Sequence, residues 1–95
     1  MGTHLSESDV QTALQKLQGW RSNGQAIERV FEFPNFSDAM VFVNRVAEAA
    51  EEANHHPDIT INYNKVTMQL SSHDSGGVTQ RDLRMAGRIN QISGG

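Results

Sequence analysis

The chain has 95 residues, 37% hydrophobic and 20% charged, with 2 Pro and no Cys, which describes one domain of globular composition. The absence of cysteine excludes disulfides, thiolate zinc sites, iron–sulfur clusters and a cysteine nucleophile. No run approaches the roughly 18 to 20 apolar residues of a membrane-spanning helix, and the 8 Lys and Arg, scattered in a chain of net charge -3 with no basic run interleaved with aromatics, argue against nucleic acid.

The opening segment MGTHLSESDV lacks the basic stretch and apolar core of an export signal, so the expected address is cytoplasmic, and also nuclear if the source is eukaryotic. A single domain over 1–95 is expected, with loose ends at about 1–5 and 93–95. Ser6 and Asp9 have capping-box spacing, and Val10, Leu14 and Leu17 recur at helical intervals, which predicts a first helix over 7–18 closed by Gly19. Trp20 opens a short strand and reads as a core residue. Asn23-Gly24 signals a type I′ turn, and Ile27, Arg29, Phe31 and Phe33 alternate along a second strand that Pro34 ends.

Ser37 or Asp38 is expected to start a second helix. Its apolar stripe is Ala39, Phe42, Val43, Val46, Ala49, Ala50 and Ala53; Asn54 ends it ahead of Pro57. Ile59, Ile61 and Tyr63 alternate, Asn64-Lys65 turns, and Val66, Met68 and Leu70 alternate back as a second hairpin. A loop over 71–78 carries Gly76-Gly77, and Thr79 caps a last helix over about 80–92. The order α-β-β-α-β-β-α predicts an α+β fold. A four-stranded antiparallel sheet carries the helices on one face, and the two hairpins join across its middle. The uncovered face and the edge strands are the expected places for subunit contact in a homo-oligomer.

Three of the four histidines lie at the two ends of the second hairpin: His55 and His56 before it, His73 after it. The hairpin folds the chain back on itself, so His55 or His56 is expected to approach His73. Polar loops commonly hold histidines with no role, and each taken alone carries little; three at facing chain ends carry more. An imidazole ordinarily titrates near about 6.5, so two of them on either side of a small molecule can give and take a proton. Zinc is the weaker reading, because adjacent His55 and His56 diverge and no HExxH is present. Asp82 has two compatible readings: cap of the last helix with Thr79, or acceptor for the imidazole N–H of His73. Glu51 reads as a solvated helix residue. No phosphate-binding glycine loop and no nucleophile elbow is found.

The run Glu51, three residues, His55-His56-Pro57, five residues, Tyr63, nine residues, His73, eight residues, Asp82 resembles the signature of the pterin-4a-carbinolamine dehydratases. NHHPD at 54–58, YNKV at 63–66, LSSHDSGGVTQRDL at 70–83, GW at 19–20 and FEFPNFSDAMVFVNRVAEAAEE at 31–52 resemble the family as well, so the similarity runs over roughly 5–92. The resemblance implies the α+β fold above. It also implies dehydration of 4a-hydroxytetrahydrobiopterin to quinonoid dihydrobiopterin, which recycles the cofactor of aromatic amino acid hydroxylases. It implies no metal and no organic cofactor, assembly into homodimers or homotetramers, and, in animals, partnership with a homeodomain transcription factor. His55 and His73 then correspond to an acid–base pair, and His56 to a catalytic group that binds and positions the pterin and shares in proton transfer. Asn54, Ser71, Ser72 and Asp74 would border the substrate, Asp82 would hold an imidazole tautomer, and Glu51 and Trp20 would support the site. Two departures stand out: Ile59 occupies a place near which some members carry Trp, and Ser75 or a neighbour stands where animal members have Cys. The alternative function is a non-catalytic module that dimerises and binds another protein, a transcription factor or a hydroxylase.

Overall fold

A computed structural model describes residues 3–94. Ser6 accepts the Asp9 amide at 3.1 Å and opens helix α1, Glu7–Leu14. This helix is shorter than the expected 7–18. Beyond Leu14 the amides of Gln15, Lys16 and Leu17 bond three residues back, and the tightened turns run into Gly19 at φ +85. The backbone angle favours glycine there, and a Cβ on Gly19 would lie 2.4 Å from Arg29 Nε, so that side chain would have to shift.

Strands β1, Arg21–Ser22, and β2, Ile27–Glu32, are joined by a four-residue loop in place of the expected two-residue turn. Asn23 explains the difference: its side-chain oxygen accepts the amides of both Gln25 and Ala26 at 2.9 Å, which favours the wider loop. Helix α2, Phe36–Ala53, starts ahead of the expected Ser37 or Asp38, because Asn35 caps it by accepting the Asp38 amide at 2.8 Å. Strands β3, Asp58–Asn62, and β4, Lys65–Leu70, turn through Tyr63-Asn64; Tyr63 leaves the strand and takes a left-handed φ of 53. Helix α3 spans Gln80–Ser93 behind its Thr79 cap.

The sheet order is β1-β2-β4-β3, all antiparallel, so the two hairpins meet at the β2–β4 pair in the middle. Ile27 and Phe31 of β2 and Val66, Met68 and Leu70 of β4 turn toward the helices. They form one core with Val10, Leu14, Phe42, Val46, Met85 and Ile89. The other face carries Glu28, Glu32, Thr60, Lys65, Thr67 and Gln69 and no helix. Trp20 is buried in the core, its indole N–H bonding Asn90 Oδ1 at 2.8 Å. Burial pushes the Arg29 guanidinium below its ordinary pKa, and the charge is satisfied by the Gln18 carbonyl, Asn90 and the face of Phe31. At the ends expected to be loose, the Leu5 amide bonds the Val78 carbonyl at 2.8 Å and Ser93 lies within α3. Residues 1, 2 and 95 lie outside the described residues. No helix among the described residues is long and apolar enough to cross a membrane.

Candidate functional site

The site is built where α2 stops. Asn54 adopts a left-handed φ of 51, and the His55 amide reaches back to the Ala50 carbonyl at 3.1 Å, closing a Schellman-type end. This reversal separates two adjacent histidines. His55 turns inward and is 9% exposed, whereas His56 stays on the surface. Each is held by its own carboxylate. His55 Nε2 bonds Asp82 Oδ1, and His56 Nε2 bonds Glu51 Oε2 at 2.6 Å. Glu51 and Glu52 are unfavourable at a helix C-terminus; their partners, His56 and Arg88, offset that charge.

Asp82 is fully buried, so every lone pair it directs inward needs a partner. Oδ1 takes His55. Oδ2 accepts the Ser72 hydroxyl and the Thr79 amide, each at 2.9 Å. Ser72 has one hydroxyl hydrogen and gives it to Asp82, so in the 2.8 Å contact between the two hydroxyls Thr79 is the donor. Thr79 and Asp82 also form a reciprocal capping box at the start of α3. The capping reading of Asp82 therefore holds, and the reading that it accepts from His73 is corrected: the imidazole it bonds belongs to His55. Asp82 stands at the third position of α3, and its side chain leans back toward the α2 terminus.

A carboxylate only accepts hydrogen bonds, so Asp82 fixes the proton of the His55 ring on Nε2. Nδ1 has no partner among the described residues, yet no buried side-chain nitrogen or oxygen among them is left unpaired. Nδ1 therefore reaches solvent, and it is the atom through which this ring can exchange a proton.

His73 is placed differently. It begins a short 3-10 turn, His73–Ser75, that Gly76 closes at φ +79, and it is exposed. The two histidines wall separate hollows. His55 lines one of about 400 Å³ with Ala53, Arg81, Arg84, Met85 and Arg88. His73 lines a polar one of about 340 Å³ whose walls include Asn23, Gln25, Asp58, Gln69 and Ser71. What joins them is the backbone: Ser72, next to His73, bonds the carboxylate that holds His55. The expectation of two rings facing each other across one cleft is thus replaced by two rings tied to a common buried carboxylate, directly in one case and through a chain neighbour in the other.

The remaining candidates divide. Ser71 borders the His73 hollow. Ser72 is 1% exposed and its hydroxyl is spent inside the protein, so it positions Asp82 and does not meet a ligand. Asp74 is on the surface, paired with Arg81 at 3.0 Å, and Asn54 is an exposed helix end. Trp20 lines neither hollow. Sequence reasoning missed Arg81, Arg84, Met85 and Arg88 in the His55 wall; the arginine spacing of three and four residues on α3 was the available signal. Among the described residues no three His, Asp or Glu are grouped to hold a metal ion, since His55 and His56 engage different carboxylates.

Comparison with known proteins agrees with this frame. Residues 3–92 match the family model described as pterin 4 alpha carbinolamine dehydratase. A protein of Koribacter versatilis is 61% identical over 97% of this chain and 98% of its own length; one of Thermomicrobium roseum is 47% identical over 94% and 96%. Both carry the name "Putative pterin-4-alpha-carbinolamine dehydratase". The crystal structure of a transcriptional coactivator/pterin dehydratase from Brucella melitensis superposes with a TM-score of 0.90 at 40% identity, covering 96% of this chain and 99% of that one. A pterin dehydratase-like protein identified as a RuBisCO assembly factor in the alpha-carboxysome shares the fold, with a TM-score of 0.70 at 22% identity, over 81% of this chain and 92% of that one. Matched over nearly its whole length in sequence and in fold, the chain belongs to the pterin-4-alpha-carbinolamine dehydratase family.

Proposed function

We propose that this protein is a 4a-hydroxytetrahydrobiopterin dehydratase that works by general acid–base catalysis. The observation that carries the reading is His55: its Nε2 is held by a buried carboxylate and its Nδ1 is open. Such a ring has a fixed orientation, a fixed tautomer and one atom free to move a proton.

The reaction breaks the C4a–O bond of the carbinolamine. An imidazolium donates a proton to the departing hydroxyl, which leaves as water. The N5 lone pair forms the C4a=N5 bond, and a neutral imidazole removes the N5 proton. The products are quinonoid dihydropterin and water, with no net change in protons. His55 and His73 are assigned the two transfers, which requires a substrate that reaches both of the hollows they wall. His56, on the surface and oriented by Glu51, is assigned to holding the ring. Each positioned transfer is typically worth about 10²–10⁴ in rate.

The test is stopped-flow dehydration of a 4a-hydroxytetrahydropterin by the purified chain. Acceleration over the buffer rate supports the reading, and a rate equal to buffer overturns it. A second reading, a protein-binding module, is favoured by the Brucella relative's description as a coactivator and by Phe36 and Val41, each about half exposed on α2. It takes precedence if the protein does not accelerate dehydration. A homo-oligomer belongs to either reading, with the free edge of β3 as its contact.

A further inference from the structure

We propose that the hollow beside His55 is an oxyanion site, built for a phosphate or carboxylate group. Arg81, Arg84 and Arg88 follow one another at three and four residues and so share a face of α3. They line the hollow of about 400 Å³ together with His55, Ala53 and Met85, and no Asp or Glu is among the residues that line it. Three of the 8 basic residues in a chain of net charge -3 thus converge on one concavity.

The outer two arginines are anchored. Arg81 Nη2 bonds Asp74 Oδ1 at 3.0 Å and Arg88 Nη2 bonds Glu52 Oε1. Each bond takes one nitrogen of a group with five N–H donors in a rigid fork, so both planes are oriented while most of their donors stay free. Arg84, between them, forms no ion pair among the described residues. The arrangement leaves like charges facing a shared space, which an oxyanion relieves by accepting two or more charge-assisted bonds at once.

The anion has two sources, an acidic group carried on the side chain of a pterin or a free inorganic ion. A first experiment needs no turnover. Inorganic phosphate is titrated into the ¹⁵N-labelled chain at constant pH and ionic strength, and the His55 ring resonances are followed. The expected result is a saturable shift, weakened at least tenfold by Arg84→Gln combined with Arg88→Gln and unchanged by Arg45→Gln, a charge control on α2 outside the hollow. No saturable shift, or equal weakening by the control, overturns the proposal.

A second experiment rests on the dehydratase reading. KM is compared for 4a-hydroxytetrahydropterins whose side chains end in a hydroxyl or in a phosphate. A KM at least fivefold lower for the phosphate, lost in Arg84→Gln, assigns the anion to the substrate; equal KM values beside saturable phosphate binding assign the site to the free ion. A chain that binds phosphate next to His55 and dehydrates nothing would keep this site and lose the enzymatic reading.

Discussion

At the residue scale, the two histidines assigned to proton transfer differ in how they are held. His55 is locked by Asp82, whereas His73 is free on its turn. His55→Ala and His73→Ala should each slow dehydration at least about tenfold in stopped-flow assays. Unchanged turnover in both, with the fold intact, would remove them from the mechanism. Asp82 acts through His55, so it is a positioning residue. Asp82→Asn should lower kcat with KM nearly constant, and ¹⁵N spectra should show the His55 ring losing its preference for the Nε2–H form. The same change leaves Ser72 and Thr79 competing for a poorer acceptor, at a cost of about 1–3 kcal/mol by denaturant unfolding. The residues of this cluster were legible in the sequence, but their pairing was not. His73 is nine positions from Asp82 and His55 is 27, and only the packing of the α2 end against the start of α3 decides between them.

At the element scale, periodicity carried the reading wherever a face is buried. The alternation of Val66, Met68 and Leu70 and the stripe through Ala39, Phe42 and Val46 appear in the core as expected. Departures concentrate where side chains bond the backbone: Asn23 widens the first hairpin loop and Asn35 moves the start of α2. Tyr63 in a left-handed turn follows from the register set by the β3–β4 pair and not from its own preference. Which hollow a histidine enters depends on side-chain direction at a loop, where no period applies. Gly19 gives a test of the helix-to-strand corner. Gly19→Ala should destabilise the fold by more than about 1 kcal/mol, since it adds a strained φ and displaces the Arg29 guanidinium from beneath the turn. An unchanged Tm would show that the corner can relax.

At the scale of the whole molecule, a sheet with one bare face, polar apart from the half-exposed Val30, and an unpaired β3 edge is open to pairing with a second copy. Ile61 is 39% exposed on that edge strand, and a lysine there would set charge against the seam. Light scattering should give a multiple of the chain mass for the unsubstituted protein and a smaller species for Ile61→Lys; a monomer in both would exclude the edge as a contact. The single buried carboxylate of Asp82 also has a consequence for how the molecule can be watched. One oxygen holds the imidazole and the other holds the Thr79 amide, so that peptide hydrogen senses the histidine without touching it. In deuterium oxide, His55→Ala should make the Thr79 amide label faster while amides in the middle of β4 keep their rates, turning one backbone proton into a remote gauge of whether the ring is in place.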